Sequence, residues 1–411
     1  MSISAFFKSK KTVTRMCQGP LGLYMEAYAN LLVSEGHCCQ SGARNIRVAA
    51  DYSLWLANNQ QRATDVNEYS IIEYETFRQK HRHPFLTDHA ALNRLLNLLR
   101  SLNVIKAATP IVLDTISQIV YNFEEYLLQD HGLCNTSVIR LRRSLRKFLH
   151  QCCPLGISSF SSLRGNDVRQ FIVEHAHEQS TSSAKNMCWM LRAFCRYLLH
   201  QGYTTYNLAN AVPNIRTWSL TALPEYLTLN QITQVLNSCD KKSALGLRDY
   251  AIIMLLSRLG LRANEIALLV LEDINWHAGS LNIHGKGRTL VTLPLLPDVG
   301  KALSSYLQNA RPITDSRSVF VRMLAPHSGF ASSSGISQIA KAALERAGIT
   351  LKHKGAHIFR HSLATNLLKA GASLSEIGQV LRHRSHDTTR IYAKVDIDGL
   401  RALAMPWPGV S

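Results

Sequence analysis

A dense set of basic and aromatic side chains lies near the C-terminus of the chain. Residues 355–395 read GAHIFRHSLATNLLKAGASLSEIGQVLRHRSHDTTRIYAKV and carry His357, Arg360, His383 and Tyr392. A guanidinium offers a planar fork of donors that matches phosphate oxygens and keeps its proton. A tyrosine phenol can act as a nucleophile when a proton acceptor is near. The four residues therefore suit nucleophilic attack on a phosphodiester bond.

Two further basic residues lie upstream of this segment. Arg262 stands in LGLRANEIALLVLEDINW, and Lys286 stands in the turn-like sequence IHGKGRTL. Arg262 would pair with Arg360 to clamp the phosphate, and Lys286 would protonate the leaving 5′ oxygen as a general acid. Because an unperturbed phenol has a pKa of about 10, Tyr392 needs a proton acceptor, and His357 and His383 are the candidates.

The order of these residues is more specific than any one of them. Arg262 is followed by Glu265 in R-x-x-E, the lysine is flanked by glycines, and H-x-x-R and L-x-H follow before the tyrosine. This order resembles the active site of the tyrosine recombinases, the phage-integrase family. In that family Glu265 would support the site, but an ordinary first-turn acid that favours the helix dipole explains it equally well.

The resemblance implies a site-specific DNA recombinase or integrase that cleaves and rejoins duplex DNA through a 3′-phosphotyrosyl intermediate. It implies no cofactor and no metal, a homotetramer on the recombination sites, and an accessory recombinase or directionality factor as a further partner. A non-catalytic DNA-binding or architectural relative would be expected to lack at least one of the six catalytic residues. A relaxing type IB topoisomerase would need no defined sequence. The presence of all six residues favours the enzyme.

Some positions in and around the motif carry alternatives. The family usually has glycine before the second histidine, where this chain has Arg382, and arginine fits poorly if that position needs a positive φ. His353, His357 and His361 recur at helical spacing, which raises the question of a metal site. No cysteine pair is nearby and a neighbouring arginine would repel a cation, so we predict no metal. We expect His361 and Arg384 to contact phosphate or solvent.

The composition agrees with a nucleic-acid partner. Lysine and arginine number 46 against 28 acidic residues, a formal charge of +18, which attracts a polyanion by counterion release and long-range steering. No apolar run reaches the ~18–20 residues of a membrane span, and the N-terminal sequence lacks an apolar export region. We therefore expect a cytoplasmic protein, in which the nine cysteines are free, small, buried apolar residues.

Hydrophobic periodicity predicts the elements that position these residues. The expected fold is mainly α, with a helical core-binding domain and a mixed α+β catalytic domain with a small antiparallel sheet, and the resemblance implies a C-shaped clamp on DNA. Helices are predicted over residues 113–129, 135–152, 164–178, 180–201, 230–237, 246–258, 297–307, 334–347, 357–370, 373–381 and 387–393, with two strands in SLNIHGKGRTLVTLPL. The predicted boundaries are 1–105 for an N-terminal helical extension, 106–212 for the core-binding domain, 213–227 for a linker, 228–395 for the catalytic domain and 396–411 for a C-terminal tail.

Two predicted helices carry basic faces that would contact DNA phosphates, although a solvated face is the alternative. The residues are Arg140, Arg143, Arg146, Lys147, Lys185 and Arg192. In the extension, residues 31–47 match residues 127–143 at an offset of 96, with seven identities in seventeen positions. This repeat indicates either a second, diverged DNA-binding or arm-type module or a generic helix–turn–helix hairpin.

Overall fold

The computed structural model describes residues 3–81, 87–106, 115–154, 156–215, 225–285, 290–352, 354–383 and 385–395. The chain forms two compact units, one of residues 1–107 together with 222–411 and one of residues 108–221. In the described ranges, no helix combines the length and the apolar character that crossing a membrane requires. The predicted fold class is confirmed, because the structure is mostly helical with a small antiparallel sheet.

The N-terminal hundred residues form a helical part of the first unit. Apolar residues at helical spacing fill its core, as in the last helix, where Leu92, Leu95 and Leu99 are buried. The Tyr28 hydroxyl donates to the Ala91 carbonyl at 2.8 Å, which fixes this helix against an earlier one. The helices are α1 (Lys10–Met16), α2 (Met25–Ser34), α3 (Cys39–Asn58), α4 (Glu68–His81) and α5 (Asp88–Ser101).

Residues 108–221 form a second helical unit with its own apolar core. Its helices are α6 (Thr115–Gln129), α7 (Asn135–Cys152), α8 (Gly165–Ala176) and α9 (Thr181–His200). These four helices were predicted, and their observed ends differ from the predicted ends by two residues at most. Phe194 lies at the centre of the core, where its ring meets Phe123 and Phe148 edge-on.

The internal repeat corresponds to the same local structure at both places. Each copy contains the end of one helix, a glycine turn and the start of the next helix. Gly36 has a φ of +81° and Gly132 a φ of +60°. Cys38 and Cys134 both hold the extended N-cap position of the following helix. The two copies therefore share a helix–turn–helix hairpin, and DNA binding by the extension stays a prediction.

The cysteines are free, as predicted, but fewer of them are buried than expected. The buried ones lie in the cores and are Cys153, Cys188, Cys195 and Cys239. The exposed ones are Cys17, Cys38, Cys39 and Cys134. The difference follows from position, because each exposed cysteine stands at the end of a helix or in its first turn.

Residues 225–395 contain the small sheet and the helices that carry the predicted site. The helices are α10 (Leu229–Asn237), α11 (Ala244–Arg258), α12 (Ala263–Ala267), α13 (Pro297–Asn309), α14 (Ser333–Arg346), α15 (His357–Lys369), α16 (Leu374–Leu381) and α17 (His386–Thr389), followed by a 3-10 turn over Arg390–Val395. The strands are β1 (Ile274–Asn275), β2 (Ser280–His284) and β3 (Leu290–Pro294), antiparallel in that order, with Ile274 opposite Leu281 and Ile283 opposite Val291. The sequence predicted β2 and β3 but missed the two-residue β1.

Helix α11 is the buried axis of this part of the chain. Residues 251–256 are each at most 3 % exposed, as expected for a helix that is apolar on every side. Helices α13, α14 and α15 pack around it. Because α15 carries His357 and Arg360, the packing against α11 fixes the backbone of both residues.

A smaller cluster closes the C-terminal end of the described chain. Ala364 of α15, Ile377 and Leu381 of α16, and Tyr392 of the 3-10 turn form it. The Tyr392 ring is only 1 % exposed. Packing of an aromatic ring between two helices therefore sets the position of the phenol oxygen.

The N-terminal extension contacts the part of the first unit that carries the predicted site. The His327 amide donates to the Glu35 carbonyl at 3.0 Å, and a Cβ on Gly36 would lie 2.1 Å from the His327 ring. Only glycine tolerates both this approach and the positive φ at that turn. The extension is therefore seated on the loop that precedes α14.

We expect Ser362→Ala to destabilise the part of the chain formed by residues 225–395. The buried Ser362 hydroxyl accepts from the Leu227 amide at 2.7 Å and donates to the Ile358 carbonyl at 2.7 Å. Its loss leaves a buried amide without a partner, which costs about 1–3 kcal/mol. The matched control is Ser257→Ala, because the Ser257 hydroxyl bonds carbonyls of its own helix. Urea unfolding checks this, and equal losses in both variants would contradict it.

Candidate active site

The N-terminus of α12 is built on an ion pair between Arg262 and Glu265. Arg262 is the N-cap residue, with φ −77° and ψ 148°, and its amide donates to the Glu265 carboxylate at 2.8 Å. The Arg262 guanidinium donates to the second carboxylate oxygen at 2.8 Å. Glu265 is buried, whereas Arg262 keeps 37 % of its side chain exposed. The carboxylate therefore both caps the helix and fixes the direction of the arginine.

Arg360 lies on α15 and is held by two backbone carbonyls. Its guanidinium donates to the Gly260 carbonyl at 2.6 Å and to the Leu381 carbonyl. Burial, followed by the charges of Arg262 and Arg382, lowers the pKa of Arg360 to about 10. The side chain stays charged at neutral pH, so the site concentrates positive charge where water is largely excluded.

The Gly260 carbonyl can reach the Arg360 guanidinium because residue 260 has no side chain. Its φ is +57°, and a Cβ there would lie 2.9 Å from Leu363 Cδ2 and 3.0 Å from Leu381 Cδ2. A larger residue would be strained in this backbone conformation and would push its neighbours apart. The turn between α11 and α12 therefore needs glycine to bring its carbonyl to the Arg360 guanidinium.

Arg382 occupies a left-handed backbone position directly after α16, with φ 56° and ψ 50°. The sequence-based concern that arginine would sit at a positive φ is thus correct. The side chain is held by Glu265, to which Nη2 donates at 2.9 Å. Its Nε and Nη1 are buried and have no hydrogen-bond partner among the described residues. A third guanidinium therefore enters the cluster at a position where the family usually has none.

The Tyr392 phenol makes a direct hydrogen bond to His361. The distance from Oη to Nδ1 is 2.9 Å. Burial raises the pKa of Tyr392 to about 12, although the charges of Arg360 and Arg262 act in the opposite direction. Burial, and then His357 and Arg360, lowers the pKa of His361. His361 is therefore neutral at pH 7 and is suited to accept the phenol proton.

His383 packs beside Tyr392, but its hydrogen bond within the described part of the chain goes to Thr389. The two rings stack with centroids 6.4 Å apart and an angle of 5° between their planes. His383 Nδ1 and Thr389 Oγ1 are 2.7 Å apart and share a hydrogen bond. Burial lowers the pKa of His383 to about 4, with Arg360 and Arg262 as the next largest causes. The imidazole is therefore neutral over the whole physiological pH range.

Of the remaining residues that the sequence singled out in and around the active-site motif, the structure describes His357, and the others lie outside the described ranges. His357 begins α15 and keeps an exposed edge. Partial burial, Arg360 and Arg262 lower its pKa. Lys286, His353 and Arg384 lie outside the described residues. Among the residues that the structure does describe, no three His, Cys, Asp or Glu side chains group closely enough to hold a metal ion.

The six basic residues of α7 and α9 that are predicted to contact phosphate differ in whether they already bind other groups of the protein. Arg140 and Arg143 are exposed on α7, and the exposed Lys147 lies 3.6 Å from the Glu178 carboxylate. Arg192 Nη2 donates to the Pro213 carbonyl at 2.7 Å and to Asn214 Oδ1 at 2.5 Å. Arg146 donates to Ser117 Oγ at 3.3 Å, and Lys185 is exposed. DNA contact stays a prediction for all six residues.

Three residues of the site were not assigned their observed contacts from sequence. They are Gly260, His361 and Arg382. One signal was available for His361, because it stands four residues after His357 and so lies on the same helix face. The contacts of the other two span 100 and 117 residues of sequence, and local spacing does not predict contacts at that separation.

Two protein families match the sequence. Residues 225–398 match the phage integrase family, and residues 120–202 match the N-terminal SAM-like domain of phage integrase. The relative y4rA of Sinorhizobium fredii, which is named an integrase/recombinase, is 39% identical over 98% of this chain and 98% of its own length. Tyrosine recombinase XerD of Listeria monocytogenes is 30% identical over 68% of this chain and 95% of its own length.

Solved structures share the fold at low sequence identity. XerH site-specific recombinase bound to a palindromic difH substrate superposes with a TM-score of 0.55 at 20% identity, over 76% of this chain and 88% of that one. A lambda integrase tetramer bound to a Holliday junction gives a TM-score of 0.51 at 14% identity, over 80% of this chain and 90% of that one. At these identities the likeness is one of fold.

The lowered pKa of His383 predicts a pH-dependent contribution to stability. The unfolded side chain titrates near its ordinary value of 6.5, and the folded one at about 4. Between these values the unfolded state binds more protons, so stability falls as pH is lowered through this window. The loss of stability between pH 7 and pH 4 should therefore be smaller in His383→Asn than in the wild type. Urea unfolding midpoints measure this, and parallel curves would contradict it.

Proposed function

Because the chain belongs to the phage integrase family, it is a tyrosine-type site-specific DNA recombinase, and we propose that Tyr392 is its nucleophile. The observation that carries this assignment is the surround of the phenol. Its oxygen lies 2.9 Å from His361 Nδ1, and the charges of Arg360 and Arg262 act on it. A phosphodiester bound there would meet a nucleophile, a proton acceptor and a cationic clamp together.

The proposed reaction is a transesterification. The Tyr392 oxygen attacks the scissile phosphorus, the bond to the 5′ oxygen breaks, and a 3′-phosphotyrosyl bond forms. The phenol proton passes to His361, and Lys286 donates a proton to the 5′ oxygen. Arg262 and Arg360 stabilise the charge that develops on the non-bridging oxygens. Attack by a 5′ hydroxyl reverses each transfer, so strand joining conserves the linkage without an added energy source.

We prefer His361 to His357 and His383 as the proton acceptor. A phenol with a pKa of about 12 is protonated at neutral pH, so its proton must move as the phosphorus is attacked. His361 already makes the hydrogen bond along which that proton would travel. His383 instead directs Nδ1 to Thr389. We therefore assign proton acceptance to His361 and leave His357 and His383 to contact the phosphate.

The proposed substrate is a pair of duplex recombination sites. Related proteins of the same fold are described as bound to DNA, one of them as a tetramer, and we extend both features to this chain. Residues 106–212 would grip the DNA through exposed basic residues of α7 and α9, residues 228–395 would cut it, and residues 1–105 would add an arm-type contact. An accessory recombinase or directionality factor would complete the assembly. The proposed place of action is the cytoplasm, where such DNA lies.

Tyr392→Phe tests the nucleophile. The variant keeps the buried ring but lacks the attacking oxygen, so DNA binding should persist while the covalent complex disappears. A nicked suicide substrate followed by a denaturing gel measures the complex. The matched control is Tyr306→Phe, since Tyr306 is an equally buried phenol of the catalytic core and should leave the complex intact. A covalent complex with the Tyr392 variant would refute the assignment.

His361→Asn tests the proton acceptor. Loss of a general base typically slows a reaction by about 10²–10⁴-fold. The rate of the variant should then rise with pH well beyond neutrality, because phenolate forms only as pH approaches the Tyr392 pKa of about 12. Single-turnover cleavage rates across pH measure this, with the exposed His277→Asn as control. A variant with the wild-type rate and pH profile would return the role to His357 or His383.

A further inference from the structure

We propose that Arg382 is a third phosphate-binding guanidinium of this site, which places its Nε and Nη1 on the scissile phosphodiester. The proposal rests on the proposed function above, because it takes the phosphate to lie between Arg262, Arg360 and Tyr392. It goes beyond the residues of the motif. The resemblance leads us to expect glycine here, so Arg382 would add a third guanidinium to the two arginines of the motif.

The hydrogen bonds of Arg382 are incomplete on the protein side. A guanidinium has five N–H donors in a rigid fork. Nη2 is directed to Glu265 at 2.9 Å, whereas Nε and Nη1 are buried without a partner in the described part of the chain. The side chain is 9 % exposed. Buried charged donors need acceptors, and two non-bridging phosphate oxygens match the fork.

The positive charge of the three arginines also favours the binding of an anion. Arg262 and Arg382 share the Glu265 carboxylate, and Arg360 is satisfied by neutral carbonyls. Three guanidiniums thus face a single carboxylate. His361 and His383 are neutral at pH 7, because the same burial and arginine charges lower their pKa values. A phosphodiester would compensate part of the remaining positive charge.

The backbone at Arg382 shows that a side chain is retained at a position suited to glycine. The residues at positive φ that follow α9, α14 and α15 are Gly202, Gly348 and Gly371. After α16 the corresponding residue is Arg382, at φ 56°. Residues with a side chain rarely adopt this left-handed backbone conformation. The non-glycine residues that are held in it cluster at functional sites. Backbone preference alone would favour glycine at position 382. The reason for an arginine there therefore lies in what its side chain binds.

The competing explanation is that Arg382 only holds Glu265 and thereby orients Arg262. A lysine at 382 could still pair with Glu265 but could not supply a planar fork to a phosphate. Glycine at 382 would remove both contacts while relieving the backbone. The two substitutions therefore separate a phosphate ligand from a structural partner of Glu265.

The experiment measures covalent-complex formation by the full-length wild type, Arg382→Gly and Arg382→Lys on the nicked suicide substrate. We expect both variants to react roughly 10²-fold or more slowly, as for loss of one preorganised donor, with DNA affinity almost unchanged. Arg382→Gly should melt at or above the wild-type temperature. Gln60→Gly is the matched control for the melting temperature, because Gln60 also has a positive φ of 56°, and glycine there should likewise leave the protein at least as stable as the wild type.

A second substrate tests contact with the phosphate charge. A methylphosphonate at the scissile position replaces one charged non-bridging oxygen by a methyl group. The deficit of Arg382→Gly should shrink several-fold on this neutral substrate. An equal deficit on both substrates, or a wild-type rate for Arg382→Lys or Arg382→Gly, would overturn the proposal. The wild type and Tyr392→Phe are assayed in parallel. If the Arg382 variants fail these tests while Tyr392→Phe still forms no covalent complex, the role of Arg382 is refuted and the proposed function stands.

Discussion

The catalytic part depends on how one buried carboxylate holds like charges together. Glu265 accepts from Arg262 and from Arg382, which come from turns more than a hundred residues apart in sequence. Without that carboxylate the two guanidiniums would repel each other in a poorly solvated place. Arg360 avoids the same problem through backbone carbonyls. The site is thus assembled before any phosphate arrives, which is the condition for strong electrostatic stabilisation of a transition state.

This arrangement constrains the backbone around it. The Gly260 and Arg382 turns both need left-handed conformations, because each must bring a carbonyl or a side chain to the arginines from the end of a helix. The buried helix α11 leads into the first turn, and α16 leads into the second. The rigid core of α11, α13, α14 and α15 therefore serves to hold two short turns in register.

The sequence predicted the helices better than it predicted the contacts between their side chains. Helical periodicity located α6–α9 within two residues of their observed ends, and the ordered motif selected the arginines, the histidines and the tyrosine. It did not predict that Tyr392 would bond His361 across 31 residues. It also treated Arg382 only as a conformational problem. Periodicity reports which face of an element is buried, whereas such contacts depend on how separate elements pack.

The same positive cluster acts on both ends of the Tyr392–His361 hydrogen bond. Arginine charges favour the phenolate and disfavour the imidazolium. They oppose the larger effect of burial, which raises the pKa of Tyr392, and they add to the effect of burial, which lowers the pKa of His361. At the phenol the arginine charges favour release of the proton, and at the imidazole the charge of Arg360 opposes its uptake. In the proposed reaction the arginines also stabilise charge on the phosphate, where their charges act in one direction only. The proposed proton transfer follows the direct 2.9 Å contact, so the packing of the Tyr392 ring between α15 and α16 would be part of the chemistry.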